Sequence, residues 1–371
     1  MLLATRRFTS LAIALGTVLS VAACASAGTG APTTAPSTSP APTAQRWPVK
    51  TREHVDLWLH GFALLQTDTN AVVPLFRRGY ATDMTVLKNK GNVLTQLDAN
   101  RDRLQAGLAG SRLLVNAQFV PFYFNSVDEM HTEIDRFIAA GGNPQGARSE
   151  QEAAQFQVLA SYFQSAAERS WLSLFASALW DEDAKFFHSY WTRQQAERGP
   201  VIDSVSRMWQ NTVRPAISRY LTNTQQRDGD LLLSLPLDGE GRTIGGSATS
   251  RAVIAVNFPE RQSDAPQAIY TLMHEIVGSI VNSAINDNTT PAEQRNGTAD
   301  RISSAALVRG GLMLLEKQLP TLADSYARYY ITESGHVPGA SPRTQLVSLF
   351  PIPDTIRDAM SRQIDLIQGG I

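Results

Sequence analysis

The chain has 371 residues, with 33 Lys+Arg against 34 Asp+Glu, 43% hydrophobic residues, six His and a single Cys, Cys24. That length suits one large domain or two ordinary ones, and the balanced charge lacks the basic excess of a nucleic-acid binder, so nucleic acid is not an expected partner. One cysteine excludes an internal disulfide, a thiolate zinc finger and an iron–sulfur site, so any metal must be held by His, carboxylate or carbonyl groups.

Residues 1–24 carry Arg6 and Arg7, an apolar stretch over 11–23 and then Cys24. This is the layout of an export signal, too short and wrongly flanked for a stable membrane span. Ala22 and Ala23 directly before Cys24 resemble a bacterial lipobox. The resemblance implies cleavage before Cys24, acylation of its sulfur with palmitate-type chains, and a lipid-anchored protein of the bacterial cell envelope with the membrane as its first partner. Cleavage would remove Arg6 and Arg7 and no acid, leaving 31 basic against 34 acidic residues. Residues 25–45 contain only Ala, Gly, Ser, Thr, Pro and one Gln. Such a composition cannot bury enough surface to offset its ordering entropy, so a disordered tether is predicted over 25–46.

From 47 to 223 apolar residues recur at helical spacing, as in Val55, Leu57, Trp58, Phe62, Leu64 and Leu65. Breaks at Lys90-Gly91, Gly141-Gly142-Asn143-Pro144 and Gly199-Pro200 predict six or seven helices. The aromatic clusters within them read as core packing. After residue 223 the pattern changes. The runs 228–242 and 250–260 are short, rich in Leu, Val and Ile, and bounded by Gly, Asp and Pro, which predicts two strands with a Gly-rich connection. Helical periodicity returns at Ala265 and persists to the C-terminus. The expected fold class is therefore α+β and predominantly helical: a helical N-terminal half over 47–223, then a small sheet and C-terminal helices over 224–371, the two regions being separate or one continuous domain.

Within 265–287 the apolar set Ile269, Leu272, Met273, Ile276, Val277, Ile280 and Val281 predicts a buried helix with His274 and Glu275 at its middle. His274, Gly278 and Asn282 fall on one stripe of that helix, with Glu275 turned about 100° away. In an H-E-x-x-H site the two His share a metal and the Glu is general base on a metal-bound water. The run from His274 to Asn282, H-E-I-V-G-S-I-V-N, resembles the H-E-F-x-H-x-F-V-N motif of gluzincin-like bacterial domains among the zincin metallopeptidases. Downstream, Ala305-Ala306-Leu307-Val308-Arg309 resembles the E-x-L-V-R-A context of their third ligand. The resemblance implies a zincin-like active-site helix and a substrate-side edge strand, here Val253, Ile254, Ala255, Val256 and Asn257.

Two expected ligands are missing, since Gly278 stands at the second His and Ala305 at the ligand Glu. One imidazole cannot hold Zn²⁺ against water. A metal-free pseudoenzyme that binds a peptide or an envelope protein by strand addition is therefore the first expectation, with no cofactor. The alternative is an active metal-dependent peptidase or hydrolase with Zn, in which His274 is a ligand, Glu275 the general base, and Asn282 or His336 a replacement ligand. A third reading has no zincin relation and a structural role only. Elsewhere, His54 and His60 read as helix surface, His188 as a core residue, His131 and Asp128 as neighbours near a helix start, and Asp181-Glu182-Asp183 as a solvated turn.

Overall fold

The computed structural model describes residues 46–66, 72–247 and 250–369; the export signal, Cys24 and residues 25–45 lie outside the described residues. At the centre is a four-stranded sheet. The runs GDLLLS and AVIAVN are apolar on both faces and form β2 (Gly229–Ser234) and β4 (Ala252–Asn257), almost wholly buried. Continuous apolar runs of this kind suit strands covered on both sides, and the two pair in parallel from Gly229 opposite Ala252 to Ser234 opposite Asn257. β1 (Val49–Lys50) adds in parallel to β2, and β3 (Arg242–Ile244) pairs antiparallel with β4, giving the order β1-β2-β4-β3.

The helices of at least eight residues are α1 (Glu53–Leu65), α2 (Tyr80–Lys90), α3 (Arg101–Gly110), α4 (Val127–Ala139), α5 (Glu150–Tyr162), α6 (Ala166–Glu182), α7 (His188–Glu197) and α8 (Gly199–Met208) before the main strands. After them come α9 (Pro266–Ile276), α10 (Gly278–Asn288), α11 (Thr298–Gln318), α12 (Pro320–Glu333), α13 (Pro342–Leu349) and α14 (Asp354–Gly369). The fold is thus predominantly helical α+β, as the sequence pattern indicates. Among the described residues no helix is long and apolar enough to cross a membrane.

The glycine breaks fall where expected, with Gly91 ending α2 and Gly141 and Gly142 at positive φ after α4. Further starts come from serine caps: Ser126, Ser149 and Ser165 accept from the backbone N–H of Glu129, Glu152 and Glu168 at 3.0–3.2 Å. The helical half is consequently cut into more pieces than six or seven. Conversely, α6 runs into α7 through a π-turn over Asp183–Phe187 rather than a solvated turn. Glu182, expected there in water, is fully buried.

One hydrophobic core runs from Trp47 to Ile364 and includes both halves of the chain. Trp47 shows how they are joined. Its ring N–H donates to the Gln226 carbonyl, its own carbonyl accepts from the Trp209 ring N–H, both at 3.0 Å, and its ring meets Trp209 edge-on.

The expectation that Val253–Asn257 form an edge strand is overturned for Val253–Ala255, which lie between β2 and β3, while Val256 and Asn257 pair with β2 alone. The terminal strand on that side is β3, half-buried and packed beside the 3-10 turn over Ala117–Tyr123. The expected single helix over 265–287 is also interrupted, at Val277. The Ile276 carbonyl is drawn aside by the Tyr220 hydroxyl at 3.2 Å and the Gln226 amide at 3.1 Å, and the helical bonds resume with Val281 N–H to Val277.

Candidate functional site

α9 packs against β4 on one side and α11 on another, which sets His274 and Glu275 at the wall of a cleft of about 400 Å³. β3 and its flanking glycines form the facing wall through Gly241, Arg242, Thr243, Gly245 and Gly246. The start of α10 contributes Gly278, Ser279 and Asn282, and α11 contributes Leu307.

Glu275 is held at both carboxylate oxygens. Its Oε1 accepts from Gly241 N–H at 3.0 Å and from His274 Nδ1 at 3.0 Å, while Oε2 accepts from the Thr243 hydroxyl at 2.8 Å. Burial alone would raise its pKa, but His274, Thr243 and Arg242 together hold the carboxyl below its usual range. Gly241 is what permits the approach. A Cβ there would lie 2.5 Å from the Ala255 carbonyl oxygen and 2.7 Å from Glu275 Cγ, so a larger residue would push helix and strand apart.

The hydrogen bond to an ionised Glu275 puts the His274 proton on Nδ1. Nε2 is shielded from solvent and without a partner. The ring is 1% exposed and stacks on Tyr330 at 5.7 Å, whose hydroxyl is fixed on the Gly239 carbonyl at 3.0 Å. A buried acceptor, Gln226 Oε1, is also unpartnered at this cleft. A carboxylate that orients an imidazole and leaves its second nitrogen unpartnered provides a site for a hydrogen bond or a metal.

The other predicted site residues divide. Gly278 and Asn282 line the cleft as their stripe required. A Cβ on Gly278 would meet nothing within 4 Å, so the glycine faces open space and not a closely packed neighbour. His336 does not reach the cleft; it is exposed, and its Nδ1 lies 3.1 Å from the Ser334 hydroxyl. On α11 the residue facing the cleft is Leu307, two positions after Ala305, which correction follows from the rotation of that helix. Among the described residues His274 belongs to no group of three His, Cys, Asp or Glu close enough to share an ion.

The remaining histidines also move. His54 and His60 are buried, not on a helix surface: His54 Nε2 lies 2.9 Å from the Phe124 carbonyl oxygen, and His60 bridges Tyr80 and Glu182. His188 is on the surface, paired with Glu53 at 2.7 Å, and His131 pairs with Asp135 at 3.2 Å and not with Asp128. In comparisons with known proteins, no family model, curated protein or solved structure matches this chain.

Proposed function

We propose that this chain is an envelope lipoprotein, anchored at Cys24, whose folded part is a zincin-like domain that receives an extended peptide or protein segment in the cleft beside β3 without hydrolysing it. The observation that carries this reading is the state of Glu275. Both of its oxygens are engaged by Gly241, Thr243 and His274. The group that would activate a metal-bound water in a working H-E-x-x-H site serves instead as a clamp between helix and strand. The ligand positions around His274 are Gly278, Asn282 and Leu307, a set that does not fit Zn²⁺. β3, as the terminal strand on the cleft side, is the one available for strand addition; the unpartnered Gln226 Oε1 suits an N–H donor of an extended peptide, and His274 Nε2 is a second unpartnered polar atom there.

One observation favours the alternative of an active metal-dependent hydrolase, namely that His274 Nε2, the atom that would take zinc, has no partner. Gly278→Phe separates the readings, because a Cβ there meets nothing within 4 Å and the added ring would occupy the cleft that Gly278 lines. Peptides selected by the parent protein from a random library should fail to bind Gly278→Phe and should stay intact on incubation. Cleavage of those peptides, with bound zinc that disappears in His274→Ala, would establish the hydrolase instead. Peptides indifferent to Gly278→Phe would remove the cleft from the reading.

A further inference from the structure

A second group of side chains converges away from this cleft. Glu53 opens α1, Asp183 follows α6 and His188 opens α7, and one ligand atom from each lies within 4.8 Å of the others. The π-turn creates the convergence. His188 N–H bonds the carbonyl of Asp183, five residues back. In plain α-helical winding, residues that far apart point about 140° away from each other.

The charges in the group are unbalanced. His188 Nδ1 lies 2.7 Å from Glu53 Oε1, while Asp183 Oδ1 is shielded from water and has no donor. Asp128 adds a further negative charge nearby. The neighbouring cations are engaged elsewhere, Arg52 with Asp230 and Lys185 with Asp181, each at 2.7 Å. Within the group only the His188 ring can offset two facing carboxylates.

We propose that Glu53, Asp183 and His188 form a binding site for one divalent transition-metal ion of the Zn²⁺ class, with solvent completing the coordination. Two carboxylate oxygens and one imidazole nitrogen suit that ion, and three protein ligands leave a fourth position for water. The His188 side chain is 64% exposed, so the site is open to exchange. The ion would give Asp183 Oδ1 the partner it lacks and relieve the repulsion between the carboxylates. It would also clip the first turn of α1 to the continuous α6–α7 rod. None of these residues lines the His274 cleft, so the site stands or falls separately from the function proposed above.

The test is titration of the full-length protein with Zn²⁺ by calorimetry, with metal analysis after dialysis and thermal melts in parallel. One equivalent per chain is expected at micromolar concentration or below, with a rise in Tm. Affinity should fall about tenfold or more in His188→Ala and in Asp183→Asn, each losing one of three ligands, and stay unchanged in His274→Ala. His188 is a surface residue, so its substitution should leave the circular dichroism spectrum of the fold intact. Binding that survives both ligand substitutions, binding lost only with His274→Ala, or no saturable binding below millimolar Zn²⁺ would overturn the site.

Discussion

Single side chains in this molecule titrate far from their ordinary values for reasons visible in their surroundings. Burial, and for Glu333 the neighbouring Asp238 charge, push both carboxyls of this pair upward, with Arg77 and Arg78 opposing the shift at Asp238 and Arg78 at Glu333. The two titrate as a unit, and the folded state keeps a proton that the unfolded chain has already released. For a raised carboxyl the sign is clear. As pH rises from the unfolded value toward the folded one, the native state binds more protons than the unfolded state, so stability falls over that interval. Glu333→Gln removes the penalty, and its advantage in Tm over the parent should grow from pH 5 to pH 8. Equal differences in Tm at both pH values would show that the pair is not linked to folding.

Between elements the largest polar commitment is the buried group that joins α1, α2 and α6. Glu182 accepts from Lys88 Nζ at 3.0 Å and from His60 Nε2 at 3.1 Å, and Tyr80 closes the chain on His60 Nδ1 at 2.9 Å. Burial lowers the His60 pKa, so the ring is a neutral donor and the counter-charge to Glu182 is Lys88. Lys88→Met strands that carboxylate, which should cost about 3–5 kcal/mol in urea unfolding, and Glu182→Gln added to it should recover part of the loss. A loss below about 1 kcal/mol, the range of an exposed pair, would show that the ion pair is solvated. None of this was legible in the sequence. His60 and Glu182 are 122 residues apart, and Asp181-Glu182-Asp183 has the composition of a solvated turn. The serine caps were legible, because Ser126, Ser149 and Ser165 each stand three residues before a Glu.

At the scale of the whole molecule the helical half and the strand-bearing half share one core, and Trp47 is built into their junction. Separating the chain at residue 224 removes β1 from the sheet edge and exposes the face of α9 that α8 covers. A fragment of residues 224–371 should therefore show no cooperative unfolding by circular dichroism in urea, and a sharp transition would mark it as an independent domain.

Local chemistry determined much of this protein from the sequence alone. Period-3.6 patterning fixes helices as the dominant element, the two continuous apolar runs fix the buried strands, and the placement of His274, Gly278 and Asn282 on one stripe follows from helical geometry. Tertiary structure alone decided which strand is the edge, since pairing joins residues that are distant in the chain and β3 is only three residues long. It also decided that Leu307 and not Ala305 lines the His274 cleft, and that a π-turn carries Asp183 and His188 toward Glu53. Those outcomes depend on how each element is rotated when the shared core is filled, and no short stretch of sequence records that rotation.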